Sequence, residues 1–176
     1  MNSVFGVPAH PLMVHIPVVM IPLTLVLALL AMVLPRTARG ASLGLLATAT
    51  IGMIGAQLAV MSGEDLEHRV EESSLNHDVS LIHDHAELGE MTRTISFFVF
   101  LAAVAFAWRI WNDHLPERFR GVGTRLQGRT AGAVVLAALL LTSALCTVWA
   151  VRTGHVGAKA AWGDLPAASA THGSDD

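Results

Sequence analysis

The chain has 176 residues, of which 53% are hydrophobic and only 14% are charged, and its mean hydropathy is +0.55. Soluble domains carry about a quarter charged residues, so this composition excludes an ordinary soluble enzyme domain. The net charge is −3 and no cluster of Lys and Arg forms a basic stripe, which argues against nucleic-acid binding. The single cysteine, Cys146, cannot form an internal disulfide, and we expect a small buried thiol.

Four long apolar stretches predict four transmembrane helices. A helix rises 1.5 Å per residue, so about 20 apolar residues cross a hydrocarbon layer about 30 Å thick. The stretches without charge are Leu12–Leu34, Ala41–Met61, Thr94–Trp108 and Thr130–Val151. The first is too long for the apolar part of a cleaved signal peptide, and no Lys or Arg precedes it. We therefore expect it to be a retained helix.

The predicted fold is all-α, a polytopic bundle of four transmembrane helices with a short extracytoplasmic helical loop. We expect the helices near residues 12–34, 41–61, 90–112 and 129–152. Residues 1–164 form a single transmembrane domain in this prediction, and the Ala-, Ser- and Gly-rich residues 165–176 form a disordered tail. Gly63 is expected to end the second helix, and Gly154 with Gly157 to end the fourth.

The distribution of charge predicts the orientation of the bundle. Four spans place both termini and the 62–93 connection on one side, and the 35–40 and 109–129 connections on the other. Seven of the 11 Lys and Arg residues fall on the second side, whereas twelve of the 14 Asp and Glu residues fall on the first. Positively charged short loops stay in the cytoplasm. We therefore expect a protein of the inner (cytoplasmic) membrane with both termini extracytoplasmic.

The histidines are distributed unevenly between the two sides. Only His114 maps to the cytoplasmic side, although the nine histidines are scattered along the chain. The eight on the other side are His10, His15, His68, His77, His83, His85, His155 and His172. A single histidine at a membrane interface more often caps a helix than binds a ligand. Several at helix ends on one side indicate a metal or cofactor site.

Two of these histidines lie at depths that suit axial ligation. His15 is about one turn inside the first span, whereas His10 lies at or before its start. His85 precedes the apolar part of the third span, on the face that carries Gly89, where a missing side chain leaves space for a flat ligand. Helices one and three can face each other across a bundle. We therefore expect His15 and His85 to form the primary axial pair.

Other polar residues on the same side complete the expected site. His10 and His155 form a second pair or a supporting shell in this hypothesis, and a bare metal ion would use these two together with His15 and His85. Arg93 and Arg152 are the expected partners of haem propionates. A weaker hypothesis places a second metal in the acidic connection, on Glu64, Asp65, Glu67, His68 and Asp84.

From His10 to about Trp162 the chain resembles the uncharacterised four-helix membrane family known as domain of unknown function 2231. The likeness rests on His10-Pro11-x-x-x-His15-x-Pro17, Ser62-Gly63-Glu64, His85-x-Glu87-x-Gly89 and Thr153-Gly154-His155-x-Gly157. Similar members often continue with a second glycine, an aromatic residue and a His-Gly pair, whereas this chain has Trp162-Gly163 and no histidine there. The resemblance implies a membrane domain sometimes fused to Rieske or cytochrome c modules. It therefore implies a periplasmic or membrane redox partner, but no established activity.

Three functions remain open from the sequence. The first is electron transfer through haem b held by two neutral imidazoles. The second is binding of a copper, iron or zinc ion by the same histidines, with Met13 and Met20 as soft ligands. The third is a non-catalytic membrane anchor or subunit of a larger complex. A transporter or proton channel is disfavoured because such proteins usually carry ionisable groups inside the membrane, whereas no Asp, Glu, Lys or Arg lies deep in any span and Gln57 is the one strongly polar side chain there. We expect electron transfer or metal binding rather than catalysis.

Overall fold

The computed structural model of the protein describes residues 3–4, 7–72, 79–114, 116–117, 121, 124 and 126–163. Two strands of two residues each, β1 (Ser3–Val4) and β2 (Val7–Pro8), pair antiparallel before the first helix. The helices follow as α1 (Ala9–Met13), α2 (His15–Val33), α3 (Ala38–Glu72), α4 (Val79–Trp111) and α5 (Arg129–Trp162). The predicted all-α class is confirmed.

Four helical segments are long and apolar enough to cross a membrane: Ala9–Val33, Pro35–His68, Ser80–His114 and Arg129–Trp162. The first of these combines α1 and α2, which are separated at Val14. Pro17 has no N–H to donate to the carbonyl of Met13, so the helical hydrogen-bond pattern is broken at this point. The break falls between His10 and His15.

Two helices run further than the sequence analysis predicted. α3 continues through Gly63 to Glu72, and α5 continues through Gly154 and Gly157 to Trp162. The prediction that these glycines end their helices is therefore wrong. The acidic residues after Gly63 extend α3 and do not form a separate surface helix. The physical reason lies in the space that Gly63 and Gly157 leave for side chains of other helices, described below. The expected disordered tail, 165–176, lies outside the described residues.

The four spans form a ring in chain order. α2 packs against α3, α3 against α4, α4 against α5, and α5 returns to α2. The first and third spans therefore lie on one diagonal of the bundle and the second and fourth on the other. This arrangement is the one that allows side chains from the first and third spans to meet at the centre.

The buried positions repeat at alternating intervals of four and three residues. In α2 they are Pro17, Ile21, Thr24, Ala28 and Ala31, and in α5 they are Leu139, Ser143, Cys146 and Ala150. This heptad spacing is typical of helices that cross at shallow angles. Hydroxyl groups also join the helices inside: Thr24 donates to the hydroxyl of Thr48 at 2.9 Å.

Small residues face the centre of the bundle and large apolar residues face outwards. The buried set is dominated by Ala, Ser and Thr, with Leu45 and Leu139 as the largest fully buried side chains. Many large apolar side chains are exposed, and Leu141 is 71% exposed. A soluble protein would bury such residues, whereas a membrane bundle turns them to lipid and packs its helices closely through small ones.

The end of the bundle formed by the last turns of α4 and the first turn of α3 is tied by aromatic and basic side chains. The indole N–H of Trp111 donates to the hydroxyl of Ser42 at 2.9 Å, and the guanidinium of Arg39 lies 5.9 Å from the centre of the Trp111 ring. Arg109 donates to the carbonyls of Leu126 and Gly128. The candidate site lies at the opposite end.

Candidate functional site

His10 of α1 reaches across to the far part of α3. Its Nδ1 lies 2.9 Å from the carbonyl oxygen of Ala59, and the hydroxyl of Ser62 donates to the same oxygen at 3.0 Å. A carbonyl oxygen only accepts hydrogen bonds, so Nδ1 of His10 carries the proton. In the neutral ring the lone pair is then on Nε2.

Gly63 gives the His10 ring its place. A Cβ atom added at Gly63 would lie 3.2 Å from two atoms of the imidazole, tighter than an ordinary contact. The glycine is therefore required for close approach of the ring to the helix backbone, which is a use of glycine distinct from ending a helix.

His85 of α4 repeats this arrangement on α5. Its Nδ1 donates to the carbonyl of Thr153 at 2.9 Å, which again leaves the lone pair of the neutral ring on Nε2. A Cβ atom at Gly157, one helical turn further along α5, would lie only 2.7 Å from the His85 ring. Each histidine is thus fixed by one backbone carbonyl and one glycine of the next span in the chain.

The two imidazoles meet on the diagonal between the first and third spans. Their Nε2 atoms are 3.5 Å apart, and the ring centroids are 5.7 Å apart with an interplanar angle of 86°. Because both Nδ1 atoms donate to carbonyls, two Nε2 lone pairs face each other when both rings are neutral. Two such lone pairs can share a proton or a metal ion between the nitrogens. We call this arrangement the His10–His85 pair.

Hydroxyl groups join α4 to α5 on the side of the His10–His85 pair that faces the interior of the bundle. The Thr92 and Thr153 hydroxyl oxygens are 3.0 Å apart, so they join α4 to α5 one layer further into the bundle. The buried thiol of Cys146 contacts the carbonyl of Thr92 at 3.7 Å. These contacts hold the Thr153 segment, and hence the carbonyl that orients His85, against α4.

The structure brings His85 to His10, whereas the sequence analysis expected it to face His15. His15 is exposed, and its Nδ1 donates to the carbonyl of Pro11 in the preceding turn at 2.5 Å. The cause is the rotation of the first span, because its buried stripe is in heptad register with His10 and not with His15. The structure therefore places His10, and not His15, beside His85. The assignment of His15 and His85 as axial ligands stays a prediction.

The other expected site residues lie around the pair without joining it. His155 is exposed on α5, about 200° around the helix from Gly157. Arg152 is also exposed, and its guanidinium lies 5.1 Å from the centre of the Trp149 ring. Arg93 forms an ion pair with Glu90. A Cβ at Gly89 would make one ordinary contact, with Val60 at 3.8 Å, so this glycine is not closely packed against another helix.

The remaining histidines are separate from the site. His83 forms a 2.9 Å ion pair with Glu67, and His68 is exposed. His114 packs against Trp111 at the opposite end. Within the described part of the chain, no three His, Cys, Asp or Glu residues are close enough to hold a metal ion. This statement covers the described acidic residues at the end of α3. His77 and His172 lie outside the described residues.

Sequence reasoning missed the backbone groups that orient the pair. The carbonyls of Ala59 and Thr153 have no signature of their own in the sequence. The glycines did carry a signal, because Gly63 and Gly157 both belong to the short motifs on which the family resemblance rests. Reading them as helix ends hid their role as contact surfaces for the two rings.

The comparison with protein families agrees with this architecture. Residues 6–165 match DUF2231, described as a predicted membrane protein. The chain belongs to this family. The match covers all four spans and both members of the His10–His85 pair, so this chain is a DUF2231 membrane protein through nearly its whole length. No curated protein and no solved structure matches the chain.

Proposed function

We propose that the His10–His85 pair supplies the two protein ligands of a redox-active metal centre, with haem b as its occupant, and that this DUF2231 protein transfers electrons. The observation that carries the proposal is the orientation of the two rings. Histidines that bind metals usually donate their other ring N–H to a carbonyl or carboxylate, which fixes the tautomer and directs the free nitrogen to the metal. Both rings do so, and their Nε2 atoms are 3.5 Å apart.

The number of available ligands favours haem over a bare ion. A structural zinc ion takes four protein ligands, whereas the described residues contain no group of three. Haem supplies four ring nitrogens and asks the protein for two axial ligands. Bound by two imidazoles it has no open coordination position, and it would therefore accept and give single electrons.

The residues around the pair suit a flat ring because they are small. The rings are contacted by Gly63, Gly157 and the backbone or side chains of Ala59, Ser62 and Thr153. Haem b also fits the resemblance to a family whose members are sometimes fused to Rieske or cytochrome c modules, from which we infer a redox partner of that class.

A copper ion is the second candidate, and the short separation of the two nitrogens favours it. Metal–imidazole bonds are about 2.0–2.1 Å long. Two such bonds across the observed 3.5 Å make a bent arrangement of roughly 115–120°, so one ion could bind with little movement of the rings. Imidazole is a suitable ligand for copper, iron and zinc, but binding by only two protein ligands leaves zinc and iron under-coordinated.

Optical spectroscopy and metal analysis of the purified protein test these candidates together. Haem b predicts a Soret band whose position changes on reduction with dithionite, with iron at one per chain. Copper at one per chain without a Soret band would support the second candidate. Protein that carries neither, even after loading with haemin or with copper, would refute the proposed function.

Variants identify the ligands. We expect His10→Ala and His85→Ala to lose the centre, and His15→Ala and His155→Ala to keep it. Adding free imidazole to His10→Gly should restore part of the absorption, because the small ligand can fill the space of the missing ring. Retention of full cofactor loading by both His10→Ala and His85→Ala would contradict the assignment even if wild type is loaded.

A further inference from the structure

A groove lies between α3 and α4 on the outer surface of the bundle. Its volume is about 480 Å³, within the range of small-molecule sites. Met53 and Ile54 of α3 and Phe97 and Phe98 of α4 form apolar walls, and Phe97 and Phe98 are 48% and 53% exposed. In a membrane bundle such an exposed face contacts lipid. The groove is therefore accessible from within the bilayer.

Gln57 places an unsatisfied amide in this groove. It is exposed on α3, and none of the described residues hydrogen-bonds its side chain. Hydrocarbon provides neither donors nor acceptors, so an unpaired amide within a span costs free energy that a bound molecule with a hydrogen-bond acceptor would offset. Strongly polar side chains inside a membrane span mark functional sites more often than they contribute to packing.

The other polar groups of the groove are already occupied. Arg93 is paired with Glu90, and the hydroxyl of Thr94 donates to the Glu90 carbonyl at 2.9 Å. The groove therefore offers no uncompensated positive charge to a phosphate group. Among the described residues that line the groove, Gln57 has the polar side chain without a partner, and its neutral amide suits a neutral acceptor such as a carbonyl oxygen.

We propose that this groove binds the headgroup of a membrane quinone. Gln57 donates to one ring carbonyl, the phenyl rings of Phe97 and Phe98 contact the quinone ring, and the isoprenoid tail leaves through the open side into lipid. The two phenyl centroids are 6.0 Å apart with an interplanar angle of 70°, so they form an apolar corner for a flat ring.

The groove is close to the His10–His85 pair but separate from it. Gln57 is two residues from Ala59, whose carbonyl orients His10, and these two positions face opposite sides of α3. Quinone binding therefore does not depend on whether the pair holds a metal.

Photo-crosslinking tests the proposal. The full chain is placed in nanodiscs of defined phospholipid and illuminated with an azido-quinone that has an isoprenoid tail, and the adducts are mapped by mass spectrometry. We expect adducts within residues 53–58 and 93–98, and competition by unlabelled quinone but not by added phosphatidylglycerol. Adducts elsewhere, or equal competition by the phospholipid, would overturn the proposal.

Substitution of the amide gives the sharper comparison. Gln57→Leu keeps the side-chain size, suits lipid, and should weaken quinone binding about tenfold because one hydrogen bond is lost. Thr142→Val removes an exposed polar group from α5, outside the groove, and should change nothing. Equal labelling of Gln57→Leu and wild type refutes the role of the amide. A dimer that hides the groove and is lost in Gln57→Leu would assign the amide to a second copy of the chain and refute quinone binding. Quinone labelling should persist in His10→Ala. This variant therefore distinguishes a failure of quinone binding from a failure of the proposed metal centre.

Discussion

Replacement of Gly157 by alanine tests the packing that orients His85. A Cβ atom at this position would lie 2.7 Å from Cε1 and 2.9 Å from Nδ1 of the ring, distances at which the imidazole must shift. The shift also breaks or lengthens the 2.9 Å bond from Nδ1 to the carbonyl of Thr153. Gly154 provides a matched control in the same helix, because a Cβ there would meet nothing within 4 Å.

The magnitude follows from comparing the two alanine variants. Replacing glycine by alanine inside a helix gains up to about 1 kcal/mol from backbone entropy, and this gain applies to both positions and cancels in the difference. Overpacking costs about 1–3 kcal/mol. We therefore expect Gly157→Ala to be about 1–3 kcal/mol less stable to unfolding than Gly154→Ala.

Two measurements on the same pair of variants check the reasoning. Unfolding by detergent titration gives the difference in free energy, which does not require a cofactor. If the metal centre is present, Gly157→Ala should bind the haem or the copper ion with about 10- to 100-fold lower affinity, because loss of a group that orients a metal ligand has an effect of this size. The Soret band or the copper content at graded cofactor concentrations measures this affinity. Equal stability and equal loading of the two variants would show that the His85 ring does not rest against Gly157.

Three further predictions concern other parts of the molecule. In intact cells a membrane-impermeant thiol reagent should label Asp84→Cys and not Arg36→Cys, because the charge distribution predicts that the histidine end lies outside. The native thiol of Cys146 is buried and should not react, and the reverse labelling pattern would contradict the predicted orientation. Trp111→Phe should lower the free energy of unfolding by about 0.5–1.5 kcal/mol, because the hydrogen bond to Ser42 is lost, and should leave cofactor loading unchanged. A loss of cofactor loading would mean that the Trp111 end of the bundle is coupled to the histidine end. Glu67→Gln should change the free energy of unfolding by less than about 1 kcal/mol, since the His83 partner is largely exposed, and a larger change in a detergent titration would contradict this.

Hydropathy alone predicted the four spans, because the lengths of uncharged sequence match the thickness of the membrane. The ends of the helices were predicted poorly where glycine was read as a cap, since nothing local distinguishes a glycine that ends a helix from one that admits a neighbouring ring. Gly63 and Gly157 are of the second kind, and only the packing of other helices reveals it.

The proximity of His10 to His85 was not predicted, because the first span is apolar on every side. Depth in the membrane was the criterion used, and it favoured His15. The buried stripe of α2 runs through Pro17, Ile21 and Thr24. Continued backwards at the same spacing it reaches Val14 and then His10, one heptad before Pro17, whereas His15 lies one residue out of register. His85 is likewise one heptad before the buried Thr92. The heptad spacing of small and polar residues points to His10 and His85 as inward-facing positions, whereas hydrophobic periodicity could not distinguish the buried face of so apolar a helix.

The attachment of each histidine to the next span in the chain has a consequence for biogenesis. His10 is fixed to α3 and His85 to α5, so each helical hairpin, the first span with the second and the third with the fourth, can orient one imidazole by itself. The Nε2–Nε2 contact forms only when the two hairpins dock. A metal centre at this place would therefore be acquired last in assembly, and its presence would report that a newly inserted chain has completed its tertiary structure.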